Sequence, residues 1–417
     1  MGVHAVVGCT CSYFDYAARV KLLRLLLVPI AALTVLAVRL LYYAGVHIRF
    51  GGFVSHRLGH LCGNTNVYLS ERATYPNKEI HIWTHYGAIA NKQMAKMIAR
   101  VVHVWPQRFT VLVVIINKIF SGWERHDLGW NTWDRDPYNL NEKCAPPFYF
   151  TDKEEARGKH DTASLGIPLR HKWVCLMVRD GAYLPMLGYH AYRDSDIDTY
   201  AEAALALARR GYYVVRMGAK VEKPFSAKHP RIIDYATSDK RTDFLDIYLA
   251  ARCYFAISTC SGMDSPVEAF RRPMCFVNLA PVEHLRTHLS NSLAIWKHYE
   301  KNGKRMSIQE IVKAGAGQFL RLDQFQANGI TLIDNSPQEI RALVEEMADL
   351  MEGRFRPEAQ EKFWKEFPRS MDSANGYPLH GVIHSRIGSK YLEEYYARQQ
   401  EDIGLDTSAR RIEASSV

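Results

Sequence analysis

Paired cysteines, nucleotide-binding glycine signatures and long apolar runs are scarce or missing in these 417 residues, and each absence narrows the reading. The eight cysteines (Cys9, Cys11, Cys62, Cys144, Cys175, Cys253, Cys260, Cys275) show no C-x-x-C spacing, and several lie in apolar runs where a thiol behaves as a small hydrophobe. A reducing compartment fits them better than a disulfide framework. No G-x-S-x-G, Walker A or G-x-G-x-x-G pattern occurs, which disfavours a common hydrolase, NTPase or dehydrogenase. Only one stretch is long and apolar, and the mean hydropathy is -0.22, so a multi-span membrane protein is excluded. The absence of a Lys/Arg-rich, aromatic-interleaved stretch argues against a nucleic-acid partner. Repeats and low-complexity tracts are also missing.

What remains is ordinary globular composition: 47% apolar and 23% charged residues, with 12% aromatics. At roughly 150 residues per domain, the length implies two domains and an appendage. A net charge of +9 favours anionic partners, such as phospholipid surfaces or phosphorylated small molecules.

The apolar stretch runs from Leu22 to Val46. Between Arg24 and Arg39 lie 14 uncharged residues, Pro29 among them, short of the ~20 that a spanning helix needs. Arginines flank both ends, and the bulky sequence after Arg39 lacks a cleavage site. The segment therefore predicts a helix lying in or dipping into the cytoplasmic leaflet, with a true span and a buried core helix as alternatives.

Beyond it, strand and helix signals alternate. His47–Gly51 reads as a strand, Phe53–Glu71 as a glycine loop entering a helix with Arg57, His60 and Asn64, and Glu79–Thr84 and Val101–Trp105 as further strands. A polar stretch with prolines and glycines, residues 141–168, marks a boundary. In the second half, Trp173–Val178, Tyr212–Arg216, Tyr254–Ser258 and Pro273–Val277 read as strands, separated by helices over Ile197–Gly211, Asp243–Arg252 and Ser265–Arg271. That alternation predicts a doubly wound parallel sheet. Pro337–Met351 reads as a final strong helix. The expected division is a membrane-associated segment 1–46, a first Rossmann-like domain 47–165, a second 166–390, and a flexible tail 391–417.

Ligands of such sheets bind beyond the carboxyl ends of the strands. Arg179, Asp180 and Gly181 follow the first strand of the second half, and Arg216, Met217 and Gly218 close the next. Asp234 and Tyr235 follow a short one, and Ser258–Gly262 another. The Thr259–Ser265 loop leads into Pro266-Val267-Glu268, and a helix start with a glycine suits an anion such as phosphate; a plain turn is the alternative. Arg179 and Arg216 offer the fixed charge a diphosphate needs, or else structural ion pairs with rim carboxylates. Asp194-Ser195-Asp196 has the D-x-D form, but standing before a helix it reads as a cap rather than a metal site. His56, His60 and Cys62 match no zinc spacing. His60 suits a general base, with a structural hydrogen-bonding role equally open.

Several runs resemble a family of bacterial glycosyltransferases of surface-polysaccharide loci of the O-antigen and capsule type. They are Arg179-Asp-Gly-Ala-Tyr-Leu184, Tyr192-Arg-Asp-Ser-Asp-Ile197, Gly211-Tyr-Tyr-Val-Val-Arg-Met-Gly218, Ile232-Ile-Asp-Tyr-Ala236, Asp243-Phe-Leu-Asp-Ile-Tyr248, Ser261-Gly262 and Phe270-Arg-Arg-Pro273, with Arg57-Leu-Gly-His60 upstream. The resemblance implies a GT-B-like α/β fold, two Rossmann-like domains with a central cleft. The C-terminal domain would hold a nucleotide-sugar donor and the N-terminal one a glycan or lipid-linked acceptor. It also implies that no metal or other cofactor is needed, because arginines and helix N-termini stabilise the leaving diphosphate. The candidate donor site is Arg179, Arg216, Gly218, Asp234, Tyr235, Ser261, Gly262 and Glu268. Arg57, Asn64 and Arg193 are candidates for binding substrate, and His60 and Asp180 for catalysis. The expected setting is the cytoplasmic face of the inner membrane. Two rivals stand beside this reading: a non-catalytic nucleotide- or glycan-binding partner of an assembly complex, and a sugar-nucleotide epimerase of the same two-domain form.

Overall fold

The computed structural model describes residues 10–133, 135–183, 185–354, 360–367 and 380–400; side chains are described from residue 27 onward, apart from residues 185–187 and 366. Residues 1–9 of the expected N-terminal segment and 401–417 of the expected tail lie outside the described residues.

Two parallel sheets form the frame. In the first, β1 (Ile48–Val54), β2 (Ile80–Tyr86), β3 (His103–Val104) and β4 (Asp127–Asn131) lie in the order β3-β2-β1-β4. Side chains alternate across a strand, so Phe50 and Ile82 point to one face while Phe53 and Trp83 serve the other. Helices α1 (Thr10–Tyr43) and α4 (Gln107–Asn117) cover the first face through Ala31, Val35, Val38 and Val113. On the second face lie the π-helix His60–Asn64, its continuation α2 (Thr65–Thr74), and α3 (Lys92–Val101), bringing Leu61, Cys62 and Met94 against Trp83.

The second sheet holds β5 (Trp173–Met177), β6 (Tyr213–Arg216), β7 (Ile232–Ile233), β8 (Phe255–Ser258), β9 (Met274–Leu279) and β10 (Ser292–Trp296). A small antiparallel sheet of β11 (His298–Lys301), β12 (Lys304–Arg305) and β13 (Ile330–Ile333) is appended, and β14 (Arg386–Ile387) joins the large sheet. Its order, β14-β10-β9-β8-β5-β6-β7, is parallel throughout and reverses direction between β5 and β8. The doubly wound parallel sheet expected for the second half is thus present. Val174, Val214, Phe255 and Cys275 are fully buried, as strands covered on both faces require. The helix Pro337–Met351 starts on a capping box between Ser336 and Glu339 and buries Ile340, Leu343, Val344 and Met347 at helical spacing.

Three expectations change. Residues 22–43 of the expected stretch belong to one long helix, α1, whose Ala31, Val35 and Val38 stripe packs on the first sheet, and among the described residues no helix is long and apolar enough to cross a membrane. The tail does not begin at 391: residues 389–400 are helical, because Leu392 and Tyr395 find buried places and Tyr391 stacks on His298 at 5.9 Å. Between the halves, the cleft predicted from sequence is closed where their loops meet, and one continuous apolar core runs through both, with Phe150 packing on Phe244, Tyr248 and Phe270.

A charged clasp reinforces that junction. Here α5 (Leu140–Lys143) and α6 (Asp152–Ser164) lead from the first sheet to the second. Glu154 closes the capping box of α6 with Thr151 and also accepts hydrogen bonds from Gln93, Lys96 and both terminal nitrogens of Arg100, on α3. Burial alone would raise its pKa, but these donors outweigh burial and hold the carboxyl well below its usual range. A depressed pKa stabilises the fold above the unfolded value near 4.3 and loses that contribution as pH falls. Glu154→Gln should therefore cost about 3 kcal/mol in urea unfolding at pH 7. The gap to wild type should shrink below pH 4, and equal stabilities at pH 7 would contradict the clasp.

Candidate functional site

Both sheets reverse strand order, and open α/β sheets bind ligands beyond the carboxyl ends of strands at such a reversal. In the first sheet it falls between β1 and β4, in the second between β5 and β8. The loops leaving these two points touch. An ideal Cβ on Gly59 would lie 3.0 Å from Gly262 Cα, and one on Gly63 would lie 2.9 Å from Ser265 Oγ. The glycine at 262 that sequence reading gave to a phosphate is thus needed for the approach of the first half's backbone.

The helix N-terminus behind it is also taken. With α7 (Ala201–Arg209), α8 (Asp243–Arg252) and α9 (Asp264–Ala269) following in order, α9 begins at Asp264, two residues earlier than its proline suggests. The Asp264 carboxylate accepts the Ser258 hydroxyl and the Ser261 N–H (2.9 Å), while Ser261 Oγ accepts the Met263 N–H. The protein's own anion occupies the place predicted for a bound one, and burial pushes the Asp264 pKa up to about 6.

Much of the candidate donor set turns out to hold the fold. Arg216 is 1% exposed, donates to the Lys223 carbonyl (2.6 Å) and pairs with Asp234 at 3.4 Å; Asp234 also accepts the Phe225 N–H. Its ion-pair alternative is what the structure realises. Gly218 makes room for Val221, whose Cγ1 would lie 2.7 Å from an added Cβ. Tyr235 is buried, its hydroxyl donating to Asp246 (2.9 Å). Asp180 accepts the N–H groups of Ala182 and Glu222, tying two loops together. Glu268 is buried among Arg286, His288 (3.0 Å) and Asn141 (3.0 Å); burial pushes its pKa up, but Arg286 and His288 outweigh that and hold it at about 2. Asn64 is buried and donates to the Asn131 carbonyl at 2.6 Å. Each of these side chains is engaged within the protein, although Asn64 Oδ1 and Arg216 Nε are buried without a partner.

Three arginines behave differently. Arg179 lies just past β5, its backbone N–H donating to Thr259 Oγ1 and its Nε to Asp194 at 2.7 Å. Arg193 reaches the Cys260 carbonyl at 3.4 Å across the reversal, where Cys260 holds the left-handed φ of 61°. Arg57 arrives from the loop after β1. All three bear on His190, whose pKa is pushed down to about 4, first by burial and then by Arg193, Arg179 and Arg57. Among the described residues only Arg179 of the three pairs with a carboxylate, and His190 Nδ1 is buried without a partner. Three guanidiniums thus bear on one half-buried imidazole, and one of them, Arg179, carries the carboxylate of Asp194. Burial lowers the Arg179 pKa too, and nearby Arg193 adds to it.

Asp194 and Asp196 serve different cations. Asp194 holds Arg179, while Asp196 caps the turn at Ile197 and meets Lys223 at 2.6 Å. Among the described residues no three His, Cys, Asp or Glu side chains gather in an arrangement able to hold a metal. His60 opens the π-helix, half-buried, next to Gly59 at the junction. Sequence reasoning missed His190, which lies in a run without motif, and Lys297, which directly succeeds β10 and joins the Asp194 carbonyl (2.8 Å) to Asp334 (2.7 Å). Its place at a strand's carboxyl end would have marked Lys297 as a candidate, had β10 been recognised.

No protein-family model matches the sequence, and no curated protein matches it either. Among solved structures the chain is similar to the ADP-heptose lipopolysaccharide heptosyltransferase II of E. coli, at 14% identity and a TM-score of 0.44 over 73% of this chain and 99% of that one. It is similar to a family 9 glycosyltransferase from Veillonella parvula, at 12% identity and a TM-score of 0.41 over 72% and 97%. A third is the iron-containing dodecameric glycosyltransferase TibC of enterotoxigenic E. coli, at 13% identity and a TM-score of 0.37 over 74% and 77%. At such identities the chemistry of the site has to be read from this chain's own residues.

Proposed function

We propose that the protein is a glycosyltransferase that moves a sugar from a nucleotide-sugar donor to a glycan or lipid-linked acceptor in bacterial surface-polysaccharide synthesis. The observation that supports this most is the surplus of guanidinium charge where the two strand-order reversals meet. Arg57, Arg179 and Arg193 all bear on the half-buried His190, and among the described residues Asp194 is the one carboxylate paired with any of them, an arrangement unfavourable until an anion enters. A sugar diphosphate supplies that anion. As the acceptor hydroxyl attacks the anomeric carbon, the bond to the diphosphate breaks and negative charge grows on the leaving oxygen, where fixed guanidiniums stabilise it without a metal. The hydroxyl proton passes to a base, and His60, on the first half's side of the junction, is our assignment. Arg57 then links the halves by reaching from the acceptor side to the donor phosphates.

The setting we propose is the cytoplasmic membrane face. Opposite its buried stripe, α1 exposes Ile30, Leu33 (66% exposed), Leu36, Leu40 and Tyr43, and α4 with the turn after it adds Ile115, Ile119 (77%) and Phe120. Arg39 lies over Phe120 at 5.1 Å, Lys118 over Trp123 at 4.7 Å and Arg125 over Tyr42 at 5.4 Å. An apolar face rimmed by cations and aromatics suits a monotopic seat on anionic lipid.

Two experiments test these assignments. Thermal shift against UDP, GDP, CMP and their sugars, with and without EDTA, should give a nucleotide-selective rise that survives EDTA. Arg193→Ala should abolish that rise while leaving the unliganded melting temperature equal or higher, since like charge is relieved. No rise, or a rise indifferent to Arg193, would sink the donor site, and conversion of a nucleotide sugar without acceptor would favour the epimerase reading. Flotation with phosphatidylglycerol vesicles should capture the wild type and not Leu36→Asp/Ile119→Asp of unchanged melting temperature. Equal capture would remove the α1–α4 face from the account.

A further inference from the structure

We propose that Trp130 and Tyr86 form a stacking platform for a pyranose ring of the acceptor glycan, an inference that rests on the glycosyltransferase reading and gives it an acceptor subsite. Trp130 is 50% exposed and Tyr86 49%, and their rings meet edge to face with centroids 4.4 Å apart. Large rings left in water at a strand end have a cost that burial would remove. Here the fold goes out of its way to keep them there.

Three local features hold the indole in place. The pairing of β1 with β4 shifts register between Phe50 and Gly51, and a register irregularity of this kind re-aims side chains at a sheet edge. Gly129, just before the tryptophan, has the left-handed φ of 68°, and its N–H donates to Asp127 Oδ1 at 2.8 Å. Beneath the ring, Gly52 supplies a flat seat: a Cβ there would stand 2.4 Å from Trp130 Cζ3. Gly51 does the same for Trp83 on the opposite face, but Trp83 is buried and stacks on Phe53, which is core packing. Among the described residues the exposed ring has no such partner beyond Tyr86.

Position gives the platform its meaning. Trp130 and Gly52 pair across β1 and β4, the strand-order reversal of the first sheet, where a ligand crevice forms. Val54 pairs with Tyr86, and Ser55 Oγ donates to the Tyr86 carbonyl at 2.7 Å. Three residues on from Val54 comes Arg57, so its Cα lies within about 10 Å of the platform strand. The cationic site and the ring pair are therefore served by one loop. A pyranose presents an apolar C–H face that an indole covers, with its hydroxyls left for neighbouring polar groups such as the exposed His56. The pair is about two rings wide, and the exposed His56, Gly87 and Thr132 lie close to it in sequence, a size and polarity that suit a single sugar ring.

Saturation-transfer NMR on the full chain, with methyl α-glucoside, α-mannoside and α-galactoside as probes, tests the platform. We expect transfer to the ring C–H protons of at least one glycoside, retained by Trp130→Phe, and weakened about tenfold in Trp130→Ala, as loss of a ~1.4 kcal/mol ring contact would give. Melting temperature and the nucleotide-induced shift should be unchanged in Trp130→Ala, so a failure of the donor reading and a failure of the platform are separately visible. No transfer from wild type, or equal transfer from Trp130→Ala, overturns the proposal. So does self-association by sedimentation that Trp130→Ala abolishes, which would make the ring pair a protein interface.

Discussion

The approach of Gly59 to Gly262, backbone against backbone, is the constraint on which the rest of the molecule depends. Each of these loops leaves its sheet at the point where strand order reverses. Only residues without side chains let two such edges close to van der Waals distance. Once they are closed, Arg57 from one half and Arg179 and Arg193 from the other come to bear on the same imidazole. A Cβ on Gly59 would stand 3.0 Å from Gly262 Cα and one on Gly262 3.2 Å from Gly59 N, tighter than side chains normally pack, so either would press the two edges apart.

The charges of this protein fall into two groups that behave oppositely. Glu154, Glu268 and Asp234 are anions whose cations and N–H donors are already in place, and they lock the halves and loops together. Asp264 does the same for the loop after β8. Around His190 the balance is reversed, with cations in excess and an unpartnered ring nitrogen. Unsatisfied atoms occur elsewhere too, at Glu283 and Arg271 among others, but around His190 they coincide with an excess of guanidinium charge at the strand-order reversal, the combination from which the donor site is proposed.

Much of the frame was legible in the sequence. Continuous apolar runs such as Trp173–Val178 have to be strands covered on both faces, and Ser336-Pro337 followed by Glu339 announces a capped helix start. Less legible was β4, because Asp127-Leu-Gly-Trp-Asn131 is short, has a central glycine and no β-branched residue, and exists through pairing with β1. At the site, sequence put Arg179 and Arg216 alike at strand ends, named Arg193 as a substrate-binding candidate, and could not separate the three. Arg179 and Arg216 both stand at strand ends; only the fold shows that Arg216 turns under the loop of Lys223 and Phe225 to meet Asp234. Gly262 misled for a related reason. A glycine needed for close approach looks the same whether what approaches is a phosphate or another stretch of backbone. His190 carried no signal at all, since its character comes from burial and from arginines that the fold brings in, Arg57 and Arg179, beside the neighbouring Arg193.

The central claim is that the diphosphate of a donor sits between Arg57, Arg179 and Arg193. A crystal structure of the protein with a bound nucleoside diphosphate tests it most directly. The account predicts phosphate oxygens within hydrogen-bond reach of Arg193 and Arg57, beside His190, with the Arg216–Asp234 pair intact. Phosphates seated instead against Arg216 beyond β6 and β7, with Asp234 displaced from it, would contradict it.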